Sequence, residues 1–151
     1  MELLLGSHVR ELGDRVGRLA GFELEPATRR LRRIIFSADG NLGPQASMRP
    51  IAAVTHVHDN GEVELRADID VPPMPVVSDV ILLSRATRLA RDGRAIARVV
   101  GVAVDVGDHL LTAVLTRSHW WSRRHSWAAS EVDCSTSGEI RAVGSHGTQA
   151  A

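Results

Sequence analysis

Short runs in which every second residue is apolar recur along the chain. Ala20, Phe22 and Leu24 make one such run, and Val100, Val102 and Val104 make another. A period of two sends successive side chains to opposite faces and is the signature of a strand. Residues 31–37 and 110–116, rich in Ile, Leu, Val and Thr, follow as further strands. The stretch between the first pair, Glu25-Pro26-Ala27-Thr28-Arg29-Arg30, reads as a turn; its counterpart, Asp105-Val106-Gly107-Asp108-His109, carries a glycine suited to positive φ. Asp39-Gly40 ends the next strand, and the chain re-enters extended structure near Ile51 and again near Ala128. Asn60-Gly61 is the strongest hairpin signal and suits a type I′ turn. Five or six short strands per half are expected.

The two halves are one pattern written twice. Gly17-Arg18-Leu19-Ala20-Gly21-Phe22 aligns with Ala97-Arg98-Val99-Val100-Gly101-Val102 at a shift of about 80 positions. The same shift matches Gly13 with Gly93, Val16 with Ile96, and Leu31 through Ile35 with Leu111 through Leu115. After a small deletion, Pro50 through Val54 matches Ala128 through Val132, and Gly61-Glu62-Val63 matches Gly138-Glu139-Ile140. Between the copies lies Val71-Pro72-Pro73-Met74-Pro75, whose prolines cannot donate to a ladder and favour an extended spacer. The expected organisation is a first repeat over 1–68, a linker over 69–79, a second repeat over 80–143 and a frayed tail over 144–151. A unit this small sits near the lower limit for an independent core. Closing its sheet and packing it on its twin are the expected remedies.

Composition narrows the function classes without choosing one. The 151 residues carry 18 basic and 18 acidic side chains, so no net field draws the whole molecule to nucleic acid or anionic lipid. Every basic residue is arginine, which suits bidentate contacts to carboxylate or phosphate. The single cysteine, Cys134, forbids an internal disulfide, and no stretch reaches the roughly 18 apolar residues of a membrane span. The opening Met1-Glu2-Leu3-Leu4-Leu5 lacks the basic region of a signal peptide. A cytoplasmic protein without membrane insertion is the expectation.

Several of these features, in a fixed order, resemble the PRC-barrel family. Residues 13–19, Gly-Asp-Arg-Val-Gly-Arg-Leu, are similar to the family's glycine-punctuated opening. The acidic-proline turn at Glu25-Pro26, the apolar strand Arg33-Ile34-Ile35-Phe36 and the segment Arg49-Pro50-Ile51-Ala52-Ala53-Val54 follow in order. The resemblance spans most of 5–66 and, with Ala97 and Ala128 replacing the family's Gly and Pro, 82–143. It implies an all-β protein of two tandem small PRC-barrel-like β-barrels, packed on each other. Such modules mostly dock to other proteins, so the resemblance implies an interaction or adaptor role with no catalysis.

The richest candidate surface is residues 118–127, which hold Trp120, Trp121, Arg123, Arg124 and Trp127. Trp and Arg dominate binding hot spots, so the segment is either a protein-docking surface or a plug between the repeats. Aromatic residues among arginines also suit stacking on RNA bases, the alternative partner class. A second cluster, Arg29, Arg30, Arg32 and Arg33, reads as a charged face balanced by Glu11, Glu23 and Glu25, or as a contact for an acidic partner or the ribosome. His56 and His58 share one face of a strand but lack a third ligand, so no metal is expected. Cys134 has no evident base for nucleophilic work. No phosphate-binding or dinucleotide fingerprint appears, so no cofactor is expected; a small ligand or substrate held between the repeats stays open. Two similar units also offer a self-complementary surface for a homodimer.

Overall fold

The computed structural model describes residues 1–67 and 79–143. The expected tail, and all of the expected linker but Asp79, lie outside the described residues. Among these there is no α-helix; fourteen strands form two sheets of seven. The first half supplies β1 (Glu2–Leu4), β2 (His8–Glu11), β3 (Asp14–Glu25), β4 (Arg30–Ser37), β5 (Ser47–Pro50), β6 (Val54–Val57) and β7 (Val63–Leu65). The second supplies β8 (Ile81–Ser84), β9 (Arg88–Arg91), β10 (Arg94–Val104), β11 (Leu111–Arg117), β12 (His125–Ala128), β13 (Val132–Asp133) and β14 (Glu139–Ala142). Short 3-10 helices at Ile51–Ala53 and Ala129–Glu131 occupy matching places.

One sheet runs β5-β4-β3-β2-β7-β6 and the other β12-β11-β10-β9-β14-β13, the same order twice. The duplication extends to the backbone dihedrals. Leu12 and Gly13 are left-handed at φ 52° and 85°, and so are Asp92 and Gly93 at 53° and 76°. Each pair closes a two-residue hairpin between consecutive strands, the primed-turn geometry that matches strand twist. At Asn60-Gly61 only the glycine is left-handed, at φ 90°. There a turn closed by Gly61 N–H on His58 O precedes the glycine, giving a longer loop instead of the expected type I′ pair.

The halves are interlaced. β1 pairs antiparallel with β10 of the second half, and β8 pairs antiparallel with β3 of the first. The exchange is reciprocal and in one register: Leu3 faces Val102 as Leu83 faces Phe22, and Leu4 faces Gly101 as Ser84 faces Gly21. Glycine stands at both crossings, required at Gly101 and favoured at Gly21. A Cβ on Gly101 would lie 2.5 Å from Leu3 O, and one on Gly21 would lie 3.1 Å from Leu83 O. A lone bridge between Arg30 and Leu110, flanked by Leu31 N–H to His109 O (2.9 Å) and Leu111 N–H to Arg29 O (2.8 Å), marks the pseudo-twofold axis. Each half supplies seven strands against the expected five or six, six to its own sheet and one to the sheet of its twin.

A single hydrophobic cluster spans both halves. Leu3, Phe22, Leu83 and Val102, the four residues facing each other across the exchange, are all fully buried. Burying them together relieves the shortage of core that a separate unit of this size would face. On β3, Glu23 is buried too; Arg32 and Arg33 on β4 approach its carboxylate to 3.8 and 3.7 Å.

Candidate functional site: an aromatic loop above an arginine-lined cleft

The loop joining β11 to β12 is tied at its neck. Ser122 N–H and Oγ both donate to His119 O, at 3.0 and 2.7 Å, and His119 N–H donates back to Ser122 Oγ at 3.0 Å. The two residues inside this turn are Trp120 and Trp121, and the closed neck turns both outward. They are 82% and 68% exposed, the largest aromatic surface offered to solvent. Trp121 stacks flat on His119 (4.6 Å between centroids, 4° between planes), and Trp120 meets Trp121 edge-on at 5.6 Å. Arg117, at the end of β11, donates to Trp120 O at 3.3 Å and holds the loop over the sheet.

Trp127 behaves differently. It sits on β12, is buried, and donates from Nε1 to Thr116 Oγ1 at 3.0 Å. Arg91 lies over its ring at 5.9 Å. In the first half the position facing β4 at the same place is Arg49, whose Nε lies 3.8 Å from Glu11. The second half thus replaces a charge pair by a cation over an aromatic face. Residues 118–127 are not one extended segment: a turn carries Trp120 and Trp121 outward while the following strand carries Trp127 inward.

Beside the loop opens a cleft of about 530 Å3. Arg85, Arg98, Arg117 and Arg124 line it, Leu4, Leu5 and Val100 form its apolar side, and Trp120 closes one wall. Among the described residues no acidic side chain lines it. Arg124 pairs with Glu2 at 3.3 Å, whereas Arg85 and Arg98 make no ion pair among the described residues. A protein of zero formal net charge therefore concentrates positive potential at this spot. Arg98 was missed as a cleft residue and gave no signal, since it matches Arg18 of the first repeat; Arg85 and Arg117 also escaped the reading of the sequence. They stand where the first repeat has Leu5 and Ser37, and such departures from the repeat were the available signal.

The arginine run is distributed over several jobs. Arg29 has left-handed backbone (φ 60°) and reaches into the second half, donating to Ala129 O and, at 3.3 Å, to Val132 O. Arg30 is exposed beside the axis. Arg32 is buried, 3.5 Å from Glu25 and close to Glu23, and Arg33 shares Glu23. Arg123 is exposed at the foot of the Trp loop. None of the four arginines of the 29–33 run lines the cleft beside the Trp loop, and Arg29 meets the backbone just beyond Trp127.

His56 and His58 lie edge to face at 4.8 Å, and His58 Nε2 is 3.2 Å from Glu64. Among the described residues no group of three His, Cys, Asp or Glu side chains is placed to hold a metal. Cys134 is buried; burial pushes its thiol up to about 11, against the nearby Arg29 charge, which pulls it down. A thiol so raised stays protonated near neutrality and is a poor nucleophile. No helix of the described residues is long and apolar enough to cross a membrane.

No family model and no curated protein matches the chain. The geometry of the loop and its cleft therefore carries the functional reading.

Proposed function

We propose that the chain is a PRC-barrel-like adaptor, cytoplasmic and without chemistry of its own, that docks another protein through the 118–124 loop and the arginine cleft beneath it. The repeats 1–68 and 80–143 joined by 69–79 form the scaffold in this reading. The supporting observation is the adjacent pair Trp120 and Trp121, exposed beside four guanidinium groups with no acid among the lining residues. Exposed aromatic surface rimmed by arginine is costly to leave in water and is the composition of binding hot spots. The first half supplies an internal comparison: in place of Arg117-Ser118-His119-Trp120 it has Ser37-Ala38-Asp39-Gly40, which offers neither aromatic ring nor cation.

Quantitative affinity capture tests the reading. The wild-type chain, a Trp120→Ala/Trp121→Ala variant and a Leu12→Ala control, altered at another exposed apolar tip, are compared as baits. Partners retained by wild type and control but lost by the double variant support docking at the loop. Identical profiles for all three would refute it.

A further inference from the structure

The borrowed strands are related by the pseudo-twofold, yet their outer edges are treated differently. β8 pairs only with β3, and the two N–H groups it turns away from that partner are both capped by hydroxyls. Leu82 N–H donates to Ser137 Oγ at 3.0 Å, and Ser84 N–H donates to Thr87 Oγ1 at 3.0 Å. β1 pairs only with β10. Its ladder uses Leu5 N–H on Val100 O (2.9 Å), and by antiparallel alternation Glu2 and Leu4 turn their amides outward. Among the described residues neither amide meets a hydroxyl. Ser7 stands at the place of Thr87 without capping Leu4, and Asn60, at the place of Ser137, folds its amide back onto Glu62 at 3.3 Å. Beside this open edge, space replaces the cap: a second cleft of about 520 Å3 lies between Glu2, Leu4, the end of β6 and the His58–Gly61 turn, with Asp59 on its far wall. It shares Leu4 and Arg124 with the arginine cleft, so the two open spaces adjoin along β1.

We propose that β1 is the docking edge, and that the partner segment is an extended, acidic stretch of another protein that adds to β1 as a further strand. This deepens the docking reading and rests on it. Unpaired strand amides are a template for β-augmentation, in which main-chain bonds give affinity and flanking pockets select side chains. Glu2 N–H and Leu4 N–H would donate to the incoming carbonyls, and Glu2 C=O would accept an incoming N–H. Alternate side chains then fall beside Arg85, Arg98, Arg117 and Arg124, which select carboxylates. A phosphodiester strand has no N–H to offer Glu2 C=O, which makes nucleic acid the poorer fit.

The test is amide NMR of the full chain titrated with a soluble peptide of alternating Glu and Val, with alternating Lys–Val peptide and oligouridylate as comparisons. The acidic peptide should shift the Glu2 and Leu4 amides and slow their hydrogen exchange about tenfold or more at saturation, as a gained hydrogen bond of roughly this strength implies. Leu4→Pro deletes an N–H the fold does not use and should weaken peptide binding about tenfold. Should that variant not fold, the exchange rates of the two amides in the wild type decide alone. If Trp120 and Trp121 respond while Glu2 and Leu4 do not, the edge inference is overturned and the docking reading stands. No response to either peptide up to millimolar concentration overturns the inference and removes support from docking at this face. Binding of oligouridylate in place of the acidic peptide overturns both in favour of single-stranded nucleic acid.

Discussion

Interlaced strands should make the two halves one cooperative unit, and Leu3→Ala is the perturbation that exposes this. Leu3 is fully buried, on a strand of only three residues, and its neighbours in the core come from both halves. Removing three carbons at about 0.8 kcal/mol each loses roughly 2.4 kcal/mol of transfer free energy. A partly relaxed cavity of about 50 Å3, at about 24 cal/mol per Å3, adds roughly 1.2 kcal/mol. The sum, about 3.5 kcal/mol, corresponds to a fall of about 10 °C in Tm for a chain of this length. Calorimetry and urea unfolding, followed by far-ultraviolet circular dichroism and by the buried Trp127 in a Trp120→Phe/Trp121→Phe background, measure it. One transition is expected, displaced by the same amount for both probes although Trp127 lies on the other half's own strand. Leu83→Ala, at the symmetric position, should shift it comparably. Two resolved transitions, or a Leu3→Ala effect seen by one probe and missed by the other, would refute the interlaced core.

Other expectations are quicker to check. Acrylamide should quench tryptophan emission in two classes, and the Trp120→Phe/Trp121→Phe variant should leave only a blue-shifted, quencher-resistant signal from Trp127. Cys134 should react with a disulfide reagent at pH 8 only as fast as the protein opens. Its folded thiol titrates near 11 against 9.0 when unfolded, so the folded state holds its proton longer; stability should decline above pH 9 in the wild type relative to Cys134→Ala. Glu62 accepts a hydrogen bond from Arg15 at 2.9 Å and lies near Arg10, which holds its carboxyl below the ordinary glutamate value of 4.5. A lowered carboxylate stabilises the fold above that value and loses the contribution as pH falls through the folded pKa; Glu62→Gln should therefore flatten the acid limb of Tm against pH.

Much of the architecture was legible because a duplicated sequence repeats its constraints. Gly13 and Gly93, Gly21 and Gly101, and the alternation at Ala20, Phe22 and Leu24 each recur; the glycines serve the same turn and crossing in both halves, and Phe22 and Leu24 the same core as Val102 and Val104. The exchange of β1 and β8 was not legible. Nothing in the short apolar runs Leu3-Leu4-Leu5 and Ile81-Leu82-Leu83 says which of two equivalent sheets receives them. The Trp segment was legible in composition and not in direction, since three hydrogen bonds around Ser122 and His119 decide which rings face water. Arg29 could not be read as a bridge between halves, because that role needs both its left-handed backbone and carbonyls 100 residues away.

The reciprocal exchange of β1 and β8 is the arrangement two identical single-repeat chains would adopt as a swapped dimer, fused here into one polypeptide. Fusion turns a bimolecular encounter into an intramolecular one, so the interlocked state no longer depends on protein concentration. It also frees the halves to diverge, because a substitution such as Arg117 or Trp120 now appears once per assembly instead of twice. Split at the connection, each fragment would hold a strand it cannot seat and a slot it cannot fill. The fragments should recover the fold when mixed, and a single fragment alone should be driven to pair with its own copy.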